Sequence, residues 1–263
     1  MDGYDYQPGK ALPLSPRTVL PPSPPSASPP KIESPRASLD GLGYDDGDSS
    51  PRQRRVADGL NVLMTEANAL KRLALFYDED PAAQAQFSKA VETIAWSQAA
   101  GSKLVVTGVG KSGHIGRKLV STFQSLGVPA VFLHPTEALH GDLGLVGRGD
   151  TLMFVSFSGK TPELLLLLPH LPASMRVVVL TSHTRRDACE LLGARPGGVL
   201  LPAPIPEPET CSFGVAAPTT STTVALALGD ALAIATAKEL HRDDVPSVFA
   251  RHHPGGSIGA SLK

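Results

Sequence analysis

Three turns rich in glycine and hydroxyl side chains carry the residue types with which this 263-residue chain could hold an anion. Residues 108–113 read Gly-Val-Gly-Lys-Ser-Gly, residues 156–161 read Ser-Phe-Ser-Gly-Lys-Thr, and residues 219–223 are all Thr or Ser. Backbone N–H groups at the start of a helix, together with nearby hydroxyls, can bind a phosphate without a metal ion. Three such turns in one chain predict that the ligand is a phosphorylated small molecule.

The first turn also permits two narrower interpretations. Its Gly-x-Gly-x-x-Gly spacing is that of dinucleotide-binding turns, but the second predicted strand ends at Leu133 and His134 without the carboxylate that would hold a ribose hydroxyl. Its Gly-Lys-Ser matches the end of a P-loop, but that motif requires glycine where this chain has Val105. We favour a general anion-binding turn, in which Lys111 and Ser112 lie beside free N–H groups.

The elements that must position these turns follow from the hydrophobic pattern. Five short runs rich in apolar residues, beginning near residues 103, 129, 151, 176 and 197, alternate with stretches of helical periodicity. Strands that are apolar throughout, each followed by a helix, predict a parallel sheet covered on both faces. We therefore expect an α/β fold over residues 56–263: a three-layer α/β/α sandwich with a doubly wound, five-stranded parallel sheet, preceded by two amphipathic helices. In such a fold ligands bind beyond the carboxyl ends of the strands, where the three turns lie.

Composition separates the first 55 residues from the rest. Prolines and serines crowd into this segment, which shows neither helical nor strand periodicity. We predict that residues 1–55 form a disordered Pro/Ser-rich extension and that residues 56–263 form the globular domain.

Charge and cysteine content exclude several classes of function. The chain has 24 basic and 25 acidic residues, a balance that argues against binding to nucleic acid or to a membrane surface by bulk electrostatics. No apolar run approaches the roughly 18 residues that a membrane span needs, and two cysteines do not make a disulfide framework. We expect a cytoplasmic protein whose partner is a small molecule.

The turns and the segments around them resemble sugar isomerase (SIS) domains, and more closely the D-arabinose 5-phosphate isomerase family. The resemblance covers about residues 60–260. It rests on five segments in the same order: GVGKSGHIGRKLVSTF, HPTEALHGDLGLV, SFSGKTPE, APTTSTT followed by GDALA, and HHPGGSIG. The resemblance implies the SIS fold and a sugar phosphate as the ligand.

The resemblance also implies roles for individual residues. The catalytic lysine, two glutamates and histidine of the family fall on Lys111, Glu163, Glu209 and His253. Substrate contacts are implied for residues of the turns and of the His-Pro-x-Glu-Ala-x-His-Gly-Asp block, namely Gly110, Ser112, His134, His140, Ser156, Ser158, Gly159, Thr161 and Thr219. The two histidines of that block could suggest zinc. We expect neither a metal nor a cofactor, because the spacing of these residues is not helical and aldose–ketose isomerisation needs neither.

The chain departs from the family pattern at three places. Phe157 and Lys160 stand where the family usually has Asn and Glu, and one extra residue before Pro218 leaves Glu207 as an alternative to Glu209. Many relatives continue into paired CBS domains after the His-Pro-Gly-Gly block, whereas this chain ends at Lys263, so we expect no such domains.

The leading hypothesis is an aldose–ketose isomerase that interconverts D-ribulose 5-phosphate and D-arabinose 5-phosphate through an enediolate. An isomerase of another sugar phosphate and a non-catalytic phosphosugar sensor are the alternatives. The resemblance and the two amphipathic helices predicted before the first strand imply a homo-oligomer, a dimer or a tetramer, with sites completed across subunits. Pro254 and the two glycines after it predict that His253 is presented from a loop, with its neighbour His252 outside the family pattern.

Overall fold

The computed structural model describes residues 50–255. Its strands are β1 (Leu104–Thr107), β2 (Ala130–Phe132), β3 (Thr151–Val155), β4 (Arg176–Thr181) and β5 (Val199–Pro202). Its α-helices are α1 (Pro51–Glu79), α2 (Pro81–Ala99), α3 (Gly110–Ser125), α4 (Pro135–Leu139), α5 (Pro162–Leu167), α6 (Glu190–Gly193), α7 (Glu209–Phe213), α8 (Thr220–His241) and α9 (Val245–His252).

The five strands form one sheet in the order β2-β1-β3-β4-β5, and every pairing is parallel. All five were predicted from the apolar runs, and the doubly wound arrangement is confirmed. In this strand order the chain moves outward in opposite directions from β1 and β3, which leaves a crevice beyond their carboxyl ends. The topological switch point therefore lies between the turns at residues 108–113 and 156–161.

Two separate hydrophobic clusters cover the two faces of the sheet. One joins α1, α2, α3 and α8 to strand residues such as Val106 and Met153. The other joins α4, α5 and α6 to strand residues on the opposite face, such as Val105 and Phe154. Alternate residues of one strand thus enter different cores, which confirms the three-layer sandwich.

The ends of the fold differ from the sequence-based expectation. Helix α1 begins at Pro51 instead of at residue 56, because Ser50 and Gln53 form a reciprocal capping box at its start. A short helix, α9, follows α8 and ends at His252, whereas a loop was expected before His253. The predicted extension up to residue 49 and the last eight residues lie outside the described residues.

One helical stretch within residues 50–255, Thr220–His252, is long and apolar enough to cross a membrane by length and composition alone. Half of its apolar window is buried inside the fold, where α8 packs against α1, α2 and α3. Burial of this kind is typical of the core helix of a globular protein.

Candidate active site

A cavity of about 390 Å³ opens beyond the carboxyl ends of β1, β3, β4 and β5, at the switch point of the sheet. Lys111, Ser112 and Glu209 lie in its wall, together with Phe157. The hydroxyl-bearing residues of its lining are Ser112, Thr181, Ser182, Ser221 and Thr222. The structure therefore brings three of the predicted site residues to one cavity, in the place where doubly wound folds bind their ligands.

The first turn reaches this cavity because glycines let the backbone pack closely. A Cβ atom at Gly113 would lie 2.8 Å from the carbonyl oxygen of Gly108, and one at Gly108 would lie 3.0 Å from the carbonyl oxygen of Val155. Gly110 has a φ of +58°, a backbone conformation that favours glycine. Lys111 and Ser112 then occupy the first turn of α3, where free N–H groups face the cavity side of the sheet.

The second turn is ordered by its own hydroxyl groups. The hydroxyls of Ser156 and Thr161 lie 2.8 Å apart, and Gly159 N–H donates to Ser156 Oγ at 3.1 Å. Ser158 Oγ accepts a longer bond of 3.4 Å from the N–H of Lys160. Ser156 is buried and Ser158 is half-buried, so the turn is preformed but its middle hydroxyl is accessible.

Residues at the end of β4 hold the second turn in place, and the motif analysis did not identify them. Thr181 Oγ1 and Ser182 Oγ donate to the carbonyl oxygen of Phe157 at 3.0 and 2.7 Å, and Ser182 N–H donates to it at 3.1 Å. His183 Nε2 donates to the carbonyl oxygen of Ser158 at 2.9 Å. Polar residues directly after a buried strand, Ser182 and His183, were the signal available in the sequence.

A buried thiol packs beneath the same turn. Cys189 Sγ lies 3.7 Å from the carbonyl oxygen of Gly159, whose φ is +62°. A Cβ atom at Gly159 would lie 2.9 Å from this sulfur, so only glycine fits here. Burial raises the pKa of the Cys189 thiol, which keeps it neutral as a packing group.

The third turn begins α8 and is capped by Glu209. One oxygen of its carboxylate, Oε1, accepts hydrogen bonds from Thr219 N–H at 2.7 Å, Ser221 N–H at 3.0 Å and Ser221 Oγ at 2.7 Å. The Thr219 side chain does not cap the helix, although Thr219 is its N-cap residue. Glu209 therefore supplies the negative charge that a helix N-terminus favours.

The position of Glu207 separates the two candidate glutamates. Glu207 is exposed, binds Ser212 Oγ at 2.6 Å and lines only a neighbouring cavity of about 400 Å³. Glu209 is half-buried and lines both that cavity and the one that contains Lys111. The geometry favours Glu209 over Glu207 as the glutamate of the site.

The other predicted residues at the same edge of the sheet lie outside the wall of this cavity: Gly110, Thr219, Glu163, His134 and His140, and of the second turn Ser156, Ser158, Gly159 and Thr161. Glu163 is half-buried in the first turn of α5. His134 and His140 are the residues that flank α4, after β2; the Nδ1 atom of His134 is buried without a hydrogen-bond partner among the described residues. Within residues 50–255 no group of three or more His, Cys, Asp or Glu side chains is arranged to hold a metal ion.

His253 lies at the opposite end of the fold. Its ring stacks on Phe249 with 4.0 Å between ring centroids, and its Nδ1 donates to the Phe249 carbonyl at 2.8 Å. Its Nε2 is 3.3 Å from Ser125 Oγ, at the end of α3. Because α3 rises about 1.5 Å per residue, the backbone of Ser125 lies roughly 20 Å from that of Lys111. The ring is therefore packed rather than free in a loop, and one chain does not bring His253 to Lys111.

A larger cavity, of about 710 Å³, lies at this opposite, amino edge of the sheet. Asp150 anchors its wall by accepting from Lys103 Nζ at 2.7 Å and from the N–H groups of Lys103 and Gly147. It is lined by no residue that the sequence analysis assigned to the site, so size alone does not identify the functional cavity.

The chain is similar in sequence to a known domain family and to characterised proteins. The SIS-domain family profile matches residues 99–191. The arabinose 5-phosphate isomerase KdsD of Yersinia pestis is 39% identical over 78% of this chain and 57% of its own length, so the chain spans little more than half of that relative.

Two solved structures match over nearly their whole length. A Bacteroides fragilis protein named as a phosphosugar isomerase involved in capsule formation is 33% identical, with a TM-score of 0.62 over 77% of this chain and 98% of its own. A protein of Escherichia coli CFT073 in complex with arabinose 5-phosphate is 30% identical, with a TM-score of 0.62 over 78% of this chain and 100% of its own. The chain belongs to the SIS-domain family, in the group that includes the arabinose 5-phosphate isomerases.

Proposed function

We propose that this protein is an aldose–ketose isomerase that interconverts D-ribulose 5-phosphate and D-arabinose 5-phosphate. The observation that carries the proposal is the cavity at the switch point, which places the Lys111 ammonium, the Ser112 hydroxyl and the Glu209 carboxylate around one space. The names of the sequence relatives, and the arabinose 5-phosphate bound to a protein that is 30% identical, support this choice of substrate.

The phosphate group is assigned to the turn at residues 156–161. The Ser158 hydroxyl is accessible there, and the Ser156–Thr161 pair can reorient its hydroxyl protons toward an anion. The N-terminal turn of α3, with Lys111 and Ser112, lies across the switch point and adds positive charge. A dianion is thereby held by hydroxyl groups, backbone N–H groups and the Lys111 ammonium, without a metal ion.

Isomerisation requires removal of a proton from the carbon next to the carbonyl and its return to the neighbouring carbon. Glu209 is positioned as the base, because its Oε1 is held by α8 while the carboxylate lines the cavity. The charge that develops on the enediolate oxygens is offset by Lys111 and by the helix N-termini. Glu163, in the first turn of α5 at the same sheet edge, is assigned to proton exchange at the sugar hydroxyls.

Ring opening is assigned to His253 of a second copy of the chain. The hydrogen bond to the Phe249 carbonyl requires a proton on Nδ1, so Nε2 is the ring atom that would accept a proton, in exchange for its contact with Ser125 Oγ at 3.3 Å. Because His253 lies far from Lys111 in one chain, this assignment requires a neighbouring subunit, and we propose a homotetramer.

An exposed apolar stripe on α1 supports self-association. Val56, Leu60, Leu63 and Met64 recur at helical spacing and are each 52–63% exposed. A helix with an apolar face of this kind is stabilised when that face is buried against another chain. The proposal includes a cytoplasmic location, and residues 1–54, which contain none of the site residues, are proposed to be dispensable for turnover.

The test is to incubate the pure protein with D-ribulose 5-phosphate and to follow the appearance of D-arabinose 5-phosphate. The proposal expects turnover, and it expects none from the Lys111→Ala variant. Turnover of a different sugar phosphate instead would assign another specificity. Tight binding of the pentose phosphate without turnover by the wild-type protein would contradict the proposal and support a phosphosugar sensor.

A further inference from the structure

We infer that Phe157 limits the length of the sugar chain that the site accepts. The inference rests on the proposed function, because it concerns the same cavity and the same class of substrate. Phe157 is an aromatic residue between two serines of the phosphate-binding turn, and it is 46% exposed. An exposed aromatic ring in a polar turn does not contribute to an apolar core, so we look for its role in binding a ligand.

The backbone of Phe157 is held rigidly. Its carbonyl oxygen accepts three hydrogen bonds, from Thr181 Oγ1, Ser182 Oγ and Ser182 N–H, at 3.0, 2.7 and 3.1 Å. Thr181 is the last residue of β4 and Ser182 follows it, and β4 lies between the central strand β3 and the edge strand β5. These hydrogen bonds hold the backbone of Phe157 at a fixed position relative to the sheet.

Phe157 lines two cavities. One is the 390 Å³ cavity that contains Lys111 and Glu209; the other, of about 400 Å³, is formed by the segment 204–210. Ser182, Glu209 and Ala216 also line both spaces, so the two cavities are neighbours that share a border at Phe157.

This arrangement restricts the substrate at the end away from its phosphate. Phe157 is the residue of the turn at 156–161 that lines the cavity with Glu209, so a sugar whose phosphate lies in that turn must pass Phe157 to reach Glu209. A sugar phosphate with one or two more carbons must either shift its reactive carbon relative to Glu209 or enter the space that the ring closes. Removal of the ring joins the two cavities and relieves this restriction.

The experiment compares the wild-type protein with Phe157→Ala in turnover of D-ribulose 5-phosphate and D-fructose 6-phosphate. We expect the ratio of kcat/KM for the pentose over the hexose substrate to fall at least about tenfold, within the range by which one group in a pocket discriminates substrates. Phe157→Leu, which retains part of the bulk, should give an intermediate ratio. Leu145→Ala is the matched control: Leu145 is also 46% exposed and lines neither cavity.

Binding provides a readout that does not depend on catalysis. Dissociation constants are measured by calorimetry for D-arabinitol 5-phosphate and D-glucitol 6-phosphate, which have no carbonyl and cannot isomerise. The preference for the pentitol should fall about tenfold in Phe157→Ala, with melting temperatures near that of the wild type. If the wild type does not turn over the pentose phosphate, the proposed function fails, and this ratio still tests Phe157.

Two results would overturn the inference without touching the proposed function. One is a ratio within twofold of the wild-type value in both Phe157→Ala and Phe157→Leu. The other is an equal change in Leu145→Ala. A wild-type protein that binds neither sugar-alcohol phosphate would reject both this inference and the proposed function.

Discussion

Glu209 and Ser221 are joined by two hydrogen bonds to one carboxylate oxygen: Oε1 accepts from Ser221 N–H at 3.0 Å and from Ser221 Oγ at 2.7 Å. The glutamate belongs to α7, and the serine to the first turn of α8. The acid that faces the cavity therefore also caps the central helix of the fold. Its role in stability and its role in chemistry are separable, because a neutral amide retains the accepting oxygen and loses the base.

Glu209→Gln is expected to lower turnover by roughly 10²-fold or more, the usual contribution of one acid–base group. The melting temperature should remain close to that of the wild type, because the glutamine oxygen can still accept from the start of α8. Glu207→Gln is the matched control, since Glu207 is exposed and bonded only to Ser212 among the contacts described for it. Steady-state kinetics measures the turnover of the two variants, and thermal unfolding measures their melting temperatures. A larger loss of turnover in Glu207→Gln would show that the alternative alignment is right.

Glu209→Ala removes the cap as well as the base. We expect this variant to lose turnover and also about 1 kcal/mol of stability, as substitution of a helix cap usually costs. Denaturant unfolding measures the difference between the alanine and glutamine variants. Equal stability of the two would mean that the bonds to Ser221 do not support α8.

Ser158→Ala tests the turn that is assigned to the phosphate. A hydrogen bond to a charged group contributes about 1.5–3 kcal/mol, so the KM for the sugar phosphate should rise by about tenfold or more while kcat changes less. Ser88→Ala is the control, because Ser88 is exposed on α2 and its hydroxyl bonds with Glu92 of the same helix. An unchanged KM in Ser158→Ala would place the phosphate elsewhere.

His253→Ala is expected to reduce turnover by roughly 10²-fold. His252→Ala should have little effect, although both rings bond to a carbonyl oxygen of α9 at 2.8 Å. Because His253 lies far from Lys111 in one chain, mixed oligomers of Lys111→Ala and His253→Ala should recover activity, since some of their sites carry neither substitution. Kinetic assay of co-expressed subunits measures the recovery.

The control mixture combines Lys111→Ala with Glu209→Gln, whose altered residues line the same cavity of one chain. We expect no recovery of activity in this mixture. Each chain that retains Lys111 carries the Glu209→Gln substitution, so no cavity contains both original residues. Failure of the first mixture to recover, with both variants confirmed as mixed oligomers, would refute a shared site. Light scattering that shows a fully active monomer would refute it as well.

Acid should destabilise the fold through Asp150, which lies far from the cavity. Burial alone would raise the pKa of the Asp150 carboxyl, but hydrogen bonds from the Lys103 side chain and from the N–H groups of Gly147 and Lys103 hold its pKa below the ordinary value. A carboxyl whose pKa is lower in the folded state stabilises the fold above its unfolded pKa of about 3.9 and loses this contribution as the pH falls through the folded value. Unfolding free energies measured between pH 7 and pH 2 should decline less steeply in Asp150→Asn. Identical slopes would mean that Asp150 does not contribute.

Local sequence pattern predicted the strands and turns, because both depend on neighbouring residues. The apolar run at residues 151–155 specifies a strand, and the glycines at 108 and 113 permit a tight turn. The pairing of β1 with β3 then brings the strand and the turn close together. Contacts between distant segments could not be predicted in this way. His183 is 25 residues from Ser158 when it holds that turn, and the contact of His253 with Ser125 spans 128 residues.

The choice between Glu207 and Glu209 also depended on a contact between separate segments. Sequence pattern left two glutamates open, because they are two residues apart in a proline-rich segment. The packing of α7 against the start of α8 separates them, since only Glu209 reaches the backbone of Ser221. A helix cap supplied from ten residues upstream leaves no local signature in the sequence.

Exchange of carbon-bound protons with solvent tests whether Glu209 acts as the base of an isomerase. The protein is incubated with D-ribulose 5-phosphate in D₂O, and ¹H NMR follows both the loss of the C1 proton signal of the ketose and the appearance of the aldose. If Glu209 removes a carbon-bound proton in the cavity with Lys111, deuterium should enter the sugar at a rate comparable to turnover, and Glu209→Gln should suppress both processes. Sugar phosphate that binds but shows neither deuterium incorporation nor aldose formation would contradict the account.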